Sequence, residues 1–579
     1  MSNWNNVERT RGDSSSQSSL EKAKGFETAA TVNAIEKGRV PHLPNVLPEE
    51  ESHLHRGLKS RHITMIAIGG AIGTGLIIGT GSALAKAGPG SVLISYAFIG
   101  VLVYLVMCAL GEMAAWLPLP SGFTGYATRF CDPALGFSLG YTYWFKYIIV
   151  TPNQLTAASL VIQYWVDRDR VNPGVFIAIF LVVICCINYF GIKFFGEFEF
   201  WLSSFKVVII IGLILLSLIL ALGGGPDGDR KGFRYWKDPG AFNTFIEDGA
   251  TGRFLAFWSV LTVATFAYLG TELVGVTVGE AQNPRRTIPR AIRLTFYRIL
   301  VFYVLSVFLL GMLVPYDSAE LAFATKQSSS ASASPFVVAI KLSGINALPG
   351  IINGCILIFV FSASNSDLYI ASRTLYGLAC EGRAPKIFTR TDSRGVPVFA
   401  LGFSALFGCL AFMNVSDDSR TVFGYFVNMT TIFGLCTWIS ILVTHIYFRR
   451  ARKAQGIRDA DMPYVAPGGS WGSYVALFFC VLIAIFKNFD VFVPRPSSYG
   501  NFDYKNFITG YIGIPLYLIL IFGYKWTHPR SGISPEEADL FSGKDEIDRE
   551  ERAFLEAQAA DDNKSKGSWF YRTFIAWLF

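Results

Sequence analysis

Long apolar runs limit what this chain can fold into. "FIAIFLVVICCINYF" (residues 176–190) and "VVIIIGLILLSLILAL" (207–222) carry no polar stripe. A surface helix of a soluble protein needs such a stripe to face water. A helix that crosses the hydrocarbon layer needs about 20 apolar residues instead. By that rule about twelve segments cross a membrane, near 62–86, 91–115, 134–164, 174–190, 200–222, 254–280, 289–313, 348–379, 397–414, 421–448, 472–489 and 508–526. The expected fold is an all-α polytopic membrane protein. The lipid bilayer is its first partner.

Charge orders these segments in space. The formal net charge of +7 says little as a total. Its distribution says more. Arg285, Arg286, Arg290 and Arg293 follow segment six. Arg383, Lys386, Arg390 and Arg394 follow segment eight, and Arg449, Arg450, Arg452, Lys453 and Arg458 follow segment ten. Short basic loops stay cytoplasmic. With twelve crossings, both termini are then cytoplasmic, and the loop 223–253 lies outside. Nucleic acid is not an expected partner, because each basic run is a short loop between apolar segments. Residues 1–56 are polar and rich in Ser, Glu and Lys. They read as a disordered N-terminal tail, followed by a membrane domain over 57–528 and a second polar tail over 529–579. The tails hold candidate acceptors for ubiquitin-ligase machinery at Lys22, Lys24 and Lys37. The final "WFYRTFIAWLF" suits a membrane surface or a docking site on the protein. Nine scattered cysteines without metal spacing read as small apolar packers.

Two of the apolar segments are interrupted. "GGAIGTGLIIGTG" (69–81) holds six glycines, and each weakens a helix interior by about 1 kcal/mol relative to alanine. "FAYLGTELVGVTVGE" (266–280) holds three more and puts Glu272 at membrane depth. The two lie five segments apart. Interruptions at corresponding positions of two halves point to a transporter built from inverted repeats. Backbone groups freed by such breaks cannot face lipid, so they line a buried cavity. Freed N–H groups suit an anion and freed carbonyls a cation, so the pair suits a zwitterion. The alternative is that the glycines only let helices pack closely.

"GLKSRHITMIAIGGAIGTGLIIGTG", "GEFEFWLSSFKV", "FAYLGTELVGVTVGEAQNPRRTIPRAI" and "SRTLYGLACEGRAPKIF" occur in this order. With them the chain resembles fungal amino-acid permeases of the amino acid–polyamine–organocation superfamily, over about residues 57 to 530. "CDPALGF", "PNQLTAASLVIQYW" and "GGGPDGDRKGFRYWKDPGAF" are most similar to the dicarboxylic amino-acid permeases among them. The resemblance implies an inverted 5+5 repeat plus two helices, with helices 1 and 6 discontinuous. It also implies proton-coupled amino-acid uptake across the plasma membrane. Carried over by motif, the backbone of Gly73, Thr74 and Gly75, with Gly70 beside it, is expected to hold the substrate α-carboxylate. The carbonyls of Phe266, Ala267 and Leu269 are expected to hold the α-ammonium, with Phe266 as an aromatic gate.

Selectivity and coupling are expected to rest on side chains. Lys146 lies in the apolar setting of segment three, where a charge is costly and is a functional candidate by default. Snorkelling to the headgroups is its alternative. Asn153, seven residues on, shares its helix face. Gln154 stands where many relatives carry a glutamate, and a neutral amide near a lysine suits an acidic substrate. Asn365, Ser366 and Ser362 are candidate wall residues. Lys206, by resemblance, occupies the place of a sodium ion in sodium-coupled relatives and is the first candidate for proton coupling. Glu272 and Asp367 are its rivals. Arg373 is expected at the cytoplasmic end of segment eight.

No HExxH or GxxxxGK[ST] motif occurs in the chain. The expectation is therefore no enzyme, no catalytic residue, no metal and no cofactor. The substrate is expected to be an amino acid taken up with protons, glutamate and aspartate first, with asparagine and glutamine as further candidates. A general or neutral amino-acid permease and a permease-like nutrient sensor are the alternatives.

Overall fold

The computed structural model describes residues 73–119, 121–190, 192–276, 284–319, 321, 334–415, 419–493, 502–529 and most of 532–556. Gly70, Lys22, Lys24, Lys37 and the terminal "WFYRTFIAWLF" lie outside the described residues. Every regular element among the described residues is helical, and each of the twelve expected segments holds a described helix. Among the described residues, eight helices are long and apolar enough to cross a membrane, or nine if Tyr504–Tyr511 and Gly513–Thr527, bent by 41°, form one span.

The first helical run reaches from Gly75 to Trp116. It opens with a π-helix, Gly75–Gly79, and continues as α1, Thr80–Trp116. Segments one and two are thus one run with a kink at Gly88, where φ is 79° and ψ is 166°. Pro89 disfavours helical geometry at the residue before it and has no N–H to give. Glycine takes the left-handed φ without a Cβ clash. The backbone groups freed here find partners in the loop after segment five. Gly90 N–H donates to Ala241 O at 2.7 Å, and Asn243 N–H donates to Ala87 O at 3.0 Å.

Among the described residues, the other α-helices of eight residues or more are α2 (Gly122–Phe130), α3 (Pro133–Ile162), α4 (Pro173–Tyr189), α5 (Ile192–Ala221), α6 (Gly249–Tyr268), α7 (Pro284–Arg298), α8 (Ser306–Leu313), α9 (Pro335–Leu342), α10 (Leu348–Cys380), α11 (Val398–Gly408), α12 (Ser419–Ala454), α13 (Gly469–Phe486), α14 (Tyr504–Tyr511) and α15 (Gly513–Thr527). The helix α3 is central, packed on α10 and α12, while α1 packs on α6. Its start is fixed by Asp132, whose carboxylate accepts the Ala134 N–H at 2.8 Å, with Pro133 in the first turn.

Buried charge knits one end of the bundle. Glu112, fully buried on α1, accepts from Arg449 at 3.0 Å, Arg452 at 2.5 Å and the Ala466 N–H at 2.8 Å. The chain returns to this end after α15. Ile533 N–H donates to Cys131 O at 3.0 Å, Gln455 donates to Ala538 O at 2.7 Å, and Trp116 Nε1 donates to Leu540 O at 2.8 Å. The stretch expected as a tail from 529 therefore contains a docked part. Its apolar side chains, Ile533, Ala538 and Leu540, are too few among polar neighbours to raise a hydropathy signal. All nine cysteines are free thiols. Asn414, which heads an N-V-S sequon, is buried with its amide donating to Ser159 Oγ at 2.6 Å.

Candidate functional site

The second interruption follows α6. Leu269 is extended, with ψ 145°, and Gly270 has φ 94°. Helical structure resumes for one turn at Leu273–Val276. The side chains around the break hold it open. Thr271 Oγ1 donates to Tyr268 O at 2.7 Å and accepts from Arg298 Nη2 at 2.9 Å. Tyr268 OH donates to Tyr96 O at 2.9 Å, and Tyr96 OH reaches Gly75 O at 3.4 Å. The break is thereby tied to the π-helix of the first run.

The π-helix of the first run and the end of α6 meet directly. A Cβ built on Gly75 would stand 2.5 Å from Ala267 Cα and 2.8 Å from Ala267 N. Only a residue without a side chain allows this approach. Beside the contact lies a cavity lined by Gly73, Thr74 and Gly75 from the first run and Phe266, Ala267, Leu269, Gly270 and Leu273 from around the break. Lys146, Tyr147, Val150 and Gln154 of α3 and Ala363 and Asp367 of α10 complete the wall.

Helical geometry sorts the residues of α3. At about 100° per residue, Lys146, Val150, Gln154 and Tyr147 occupy an arc of about 100°. Asn153 falls on the far side of Lys146, outside that arc. It is fully buried, and neither of its amide atoms has a protein partner among the described residues. The expectation that Asn153 faces the cavity is thus corrected: sharing a face with Lys146 was not enough, because Lys146 stands at the edge of the lining face. Asn365 and Ser366 are likewise absent from the cavity wall. On α10 the wall is formed by positions 363 and 367, one turn apart, whereas Asn365 points to α4 and accepts from Asn188 Nδ2 at 3.0 Å. Gly70 lies outside the described residues.

The charged residues form two buried groups. Lys146 is 1% exposed, so it does not snorkel. Its ammonium pairs with Glu272 and lies over the rings of Tyr147 at 4.6 Å and Tyr143 at 5.1 Å. Glu272 also accepts from Gly270 N–H at 3.2 Å and from Trp438 Nε1 at 3.3 Å. Lys146 is therefore not a free cation awaiting a substrate carboxylate, as the sequence led us to expect. The break brings Glu272 onto it. Asp367 accepts from Gln154 Nε2 at 3.2 Å. Lys206, fully buried on α5, is not part of the cavity wall; its Nζ lies 3.6 Å from Glu199 Oε1. Arg373 lies over the Tyr369 ring at 5.3 Å.

Sequence reasoning passed over Glu199, Tyr147 and Trp438. A signal existed for Glu199. It stands seven residues before Lys206, hence on the same helix face. For Trp438 none existed, since only the fold brings α12 to Glu272.

A helical membrane bundle in which a π-helical stretch and a broken helix flank a polar cavity has the architecture of a secondary transporter. Residues 62–531 match the Amino acid permease family, and the chain belongs to it. It is 55% identical to the dicarboxylic amino acid permease of Saccharomyces cerevisiae over 538 residues, 92% of this chain and 88% of that protein. It is 42% identical to the lysine-specific permease of the same yeast, covering 90% and 82% of the two chains. A crystal structure of a manganese transporter from Eremococcus coleocola shares the fold, with a TM-score of 0.52 at 13% identity, over 83% of this chain and 96% of that one.

Proposed function

We propose that this permease carries acidic amino acids, glutamate and aspartate, into the cell across the plasma membrane together with protons. In this reading the chain crosses the membrane twelve times as an inverted 5+5 repeat plus two helices. Both termini are cytoplasmic, and the N-terminal lysines are open to ubiquitin-ligase machinery. It is a transporter and performs no covalent chemistry on its substrate.

The observation that carries the reading is the cavity wall, which brings the backbone of Gly73, Thr74 and Gly75 and that of the break after α6 together with Lys146, Gln154 and Asp367. The backbone of Gly73, Thr74 and Gly75 receives the α-carboxylate, and the carbonyls near Ala267 and Leu269 receive the α-ammonium. The substrate side chain extends toward Gln154 and Asp367. A carboxylate brought beside Asp367 repels it unless a proton lies between them. An acidic substrate therefore enters most readily with a proton, whereas a neutral amide needs none. The likeness to a dicarboxylic amino acid permease supports the acidic choice. Among the coupling candidates, Glu272 is fully engaged by Lys146, Gly270 and Trp438. Lys206 is the better placed proton carrier, with Asp367 acting on the substrate side.

The test is uptake of labelled glutamate at several external pH values, competed with each other amino acid. The expected result is accumulation that rises as external pH falls, collapses with an uncoupler and is competed best by aspartate. Uptake competed equally by neutral or basic amino acids would refute the acidic assignment. Absence of accumulation would favour a sensor.

A further inference from the structure

Two turns before Lys206, on the same face of α5, lies a carboxylate that the transport reading leaves unused. Glu199 is 1% exposed and Lys206 is 0% exposed. Their charged atoms are 3.6 Å apart. Serines hold the carboxylate from two helices. Ser203 Oγ, one turn on, donates to Glu199 Oε1 at 3.1 Å. Ser362 Oγ of α10 lies 3.0 Å from both carboxylate oxygens. The group joins α5 to α10, the helix that also brings Asp367 to the cavity.

The surroundings add little charge. Among the described elements packed on α5, the helix α4 and the stretch 299–313 contain no Asp, Glu, Lys or Arg. From α10 comes Asp367, within electrostatic range of both Lys206 and Glu199. A carboxylate in such a place is costly unless it is paired and hydrogen-bonded.

We propose that Glu199 is the positioning counter-ion of Lys206: it holds the lysine in its charged form, and the Ser362 contact passes the state of that pair to α10. The inference rests on the reading of Lys206 as the proton carrier. The chemistry is one proton leaving Nζ for water, with no other bond made or broken. While Lys206 is protonated the pair is neutral, and α5 and α10 stay joined around it. Loss of the proton leaves the Glu199 charge uncompensated in an apolar interior. That state is relieved when α5 and α10 shift enough to rehydrate the carboxylate. Proton release is thereby linked to a change in the helix that lines the cavity.

The test uses the full chain in reconstituted vesicles, with labelled glutamate as substrate. Removing a nearby negative charge makes an ammonium release its proton at lower pH, by about one unit or more for a close buried pair. Glu199→Gln should therefore move the alkaline limit of uptake at least about one pH unit toward acid. Proton-driven accumulation should fall about tenfold or more, while exchange of internal for external substrate falls less. Ser362→Ala, which removes only a donor, should shift the limit in the same direction by less, and it serves if Glu199→Gln fails to reach the membrane. Glu199→Asp should restore part of the wild-type profile. Lys206→Met separates the two readings. If it still accumulates substrate against the gradient, the coupling role falls, and this inference with it. If it is uncoupled while Glu199→Gln, or Ser362→Ala in its place, keeps the wild-type pH profile, only the counter-ion role of Glu199 is overturned.

Discussion

Lys146 of α3 and Glu272 in the break after α6 form an ion pair with both side chains buried. The pair fixes the central helix to the broken backbone after α6. Removing one partner of a buried pair costs about 3–5 kcal/mol, because a charge is left uncompensated, whereas replacing both is often close to neutral. Lys146→Met and Glu272→Gln should each lower stability by about that amount. The double variant should recover most of it without recovering transport. Thermal unfolding of the solubilised protein would show this as a non-additive cycle. Additive losses would mean that the two residues act separately.

Two of the glycines on the cavity wall should respond differently to the same methyl group. A Cβ at Gly75 meets the Ala267 backbone at 2.5 Å, while one at Gly73 has nothing within 4 Å. Gly75→Ala should force the first run and the end of α6 apart, costing about 1–3 kcal/mol and most of the uptake. Gly73→Ala should leave stability intact and act on the apparent affinity for substrate. Melting temperature and uptake kinetics of both variants decide the matter; equal stability would remove the close contact as an explanation.

That contrast also shows how far the sequence could be read. Glycine spacing and a stray acid were enough to locate the break after α6, and apolar runs located the helices. The resemblance led only to the expectation that the Gly75 backbone holds the substrate α-carboxylate, where added bulk would obstruct the substrate. The structure shows that it would first strike Ala267. Partners that lie far apart in the chain were not legible. Lys146 and Glu272 are separated by 126 positions, and nothing local in either stretch marks the other. Asn153 illustrates the opposite failure: its spacing from Lys146 was read correctly, but which edge of the face meets the cavity is decided by how α3 packs on α10 and α12.

The docked segment after α15 carries its own pH dependence. Burial by itself would raise the Asp539 carboxyl, but the N–H groups of Ser542 and Phe541 and the nearby Arg129 outweigh it and hold the group below its usual range. A depressed carboxyl stabilises the docked state above its unfolded pKa, and that stability is lost as pH falls through the lower folded value. Docking should therefore be unchanged between about pH 5 and 8 and loosen only below about pH 4, the ordinary aspartate range. Hydrogen exchange of residues 533–545 would follow it. Loosening near neutral pH would show that Asp539 is not the group responsible.

Gln154 and Asp367 meet at 3.2 Å on the cavity wall, and this contact gives the sharpest test of substrate choice. Gln154→Glu replaces a donor to Asp367 with a second carboxylate. Two carboxylates about 4 Å apart repel by about 4 kcal/mol at an effective dielectric near 20. Lys146 lies on the same wall but is paired with Glu272, so its charge is already partly compensated. At neutral pH one of the two carboxyls therefore keeps a proton, or both remain charged at a cost. A substrate carboxylate entering about 5 Å away then meets an extra repulsion of about 3 kcal/mol when both are charged, which is about a hundredfold in affinity. Asparagine brings no such charge and should lose much less. The aspartate-to-asparagine uptake ratio should thus fall toward about pH 7 and recover toward about pH 4, where a shared proton quenches the new charge. The variant and wild type would be compared across that range with both substrates labelled. A ratio that does not move at any pH would show that the substrate side chain does not reach Gln154 and Asp367, and would send the search for the selectivity determinant to another wall of the cavity.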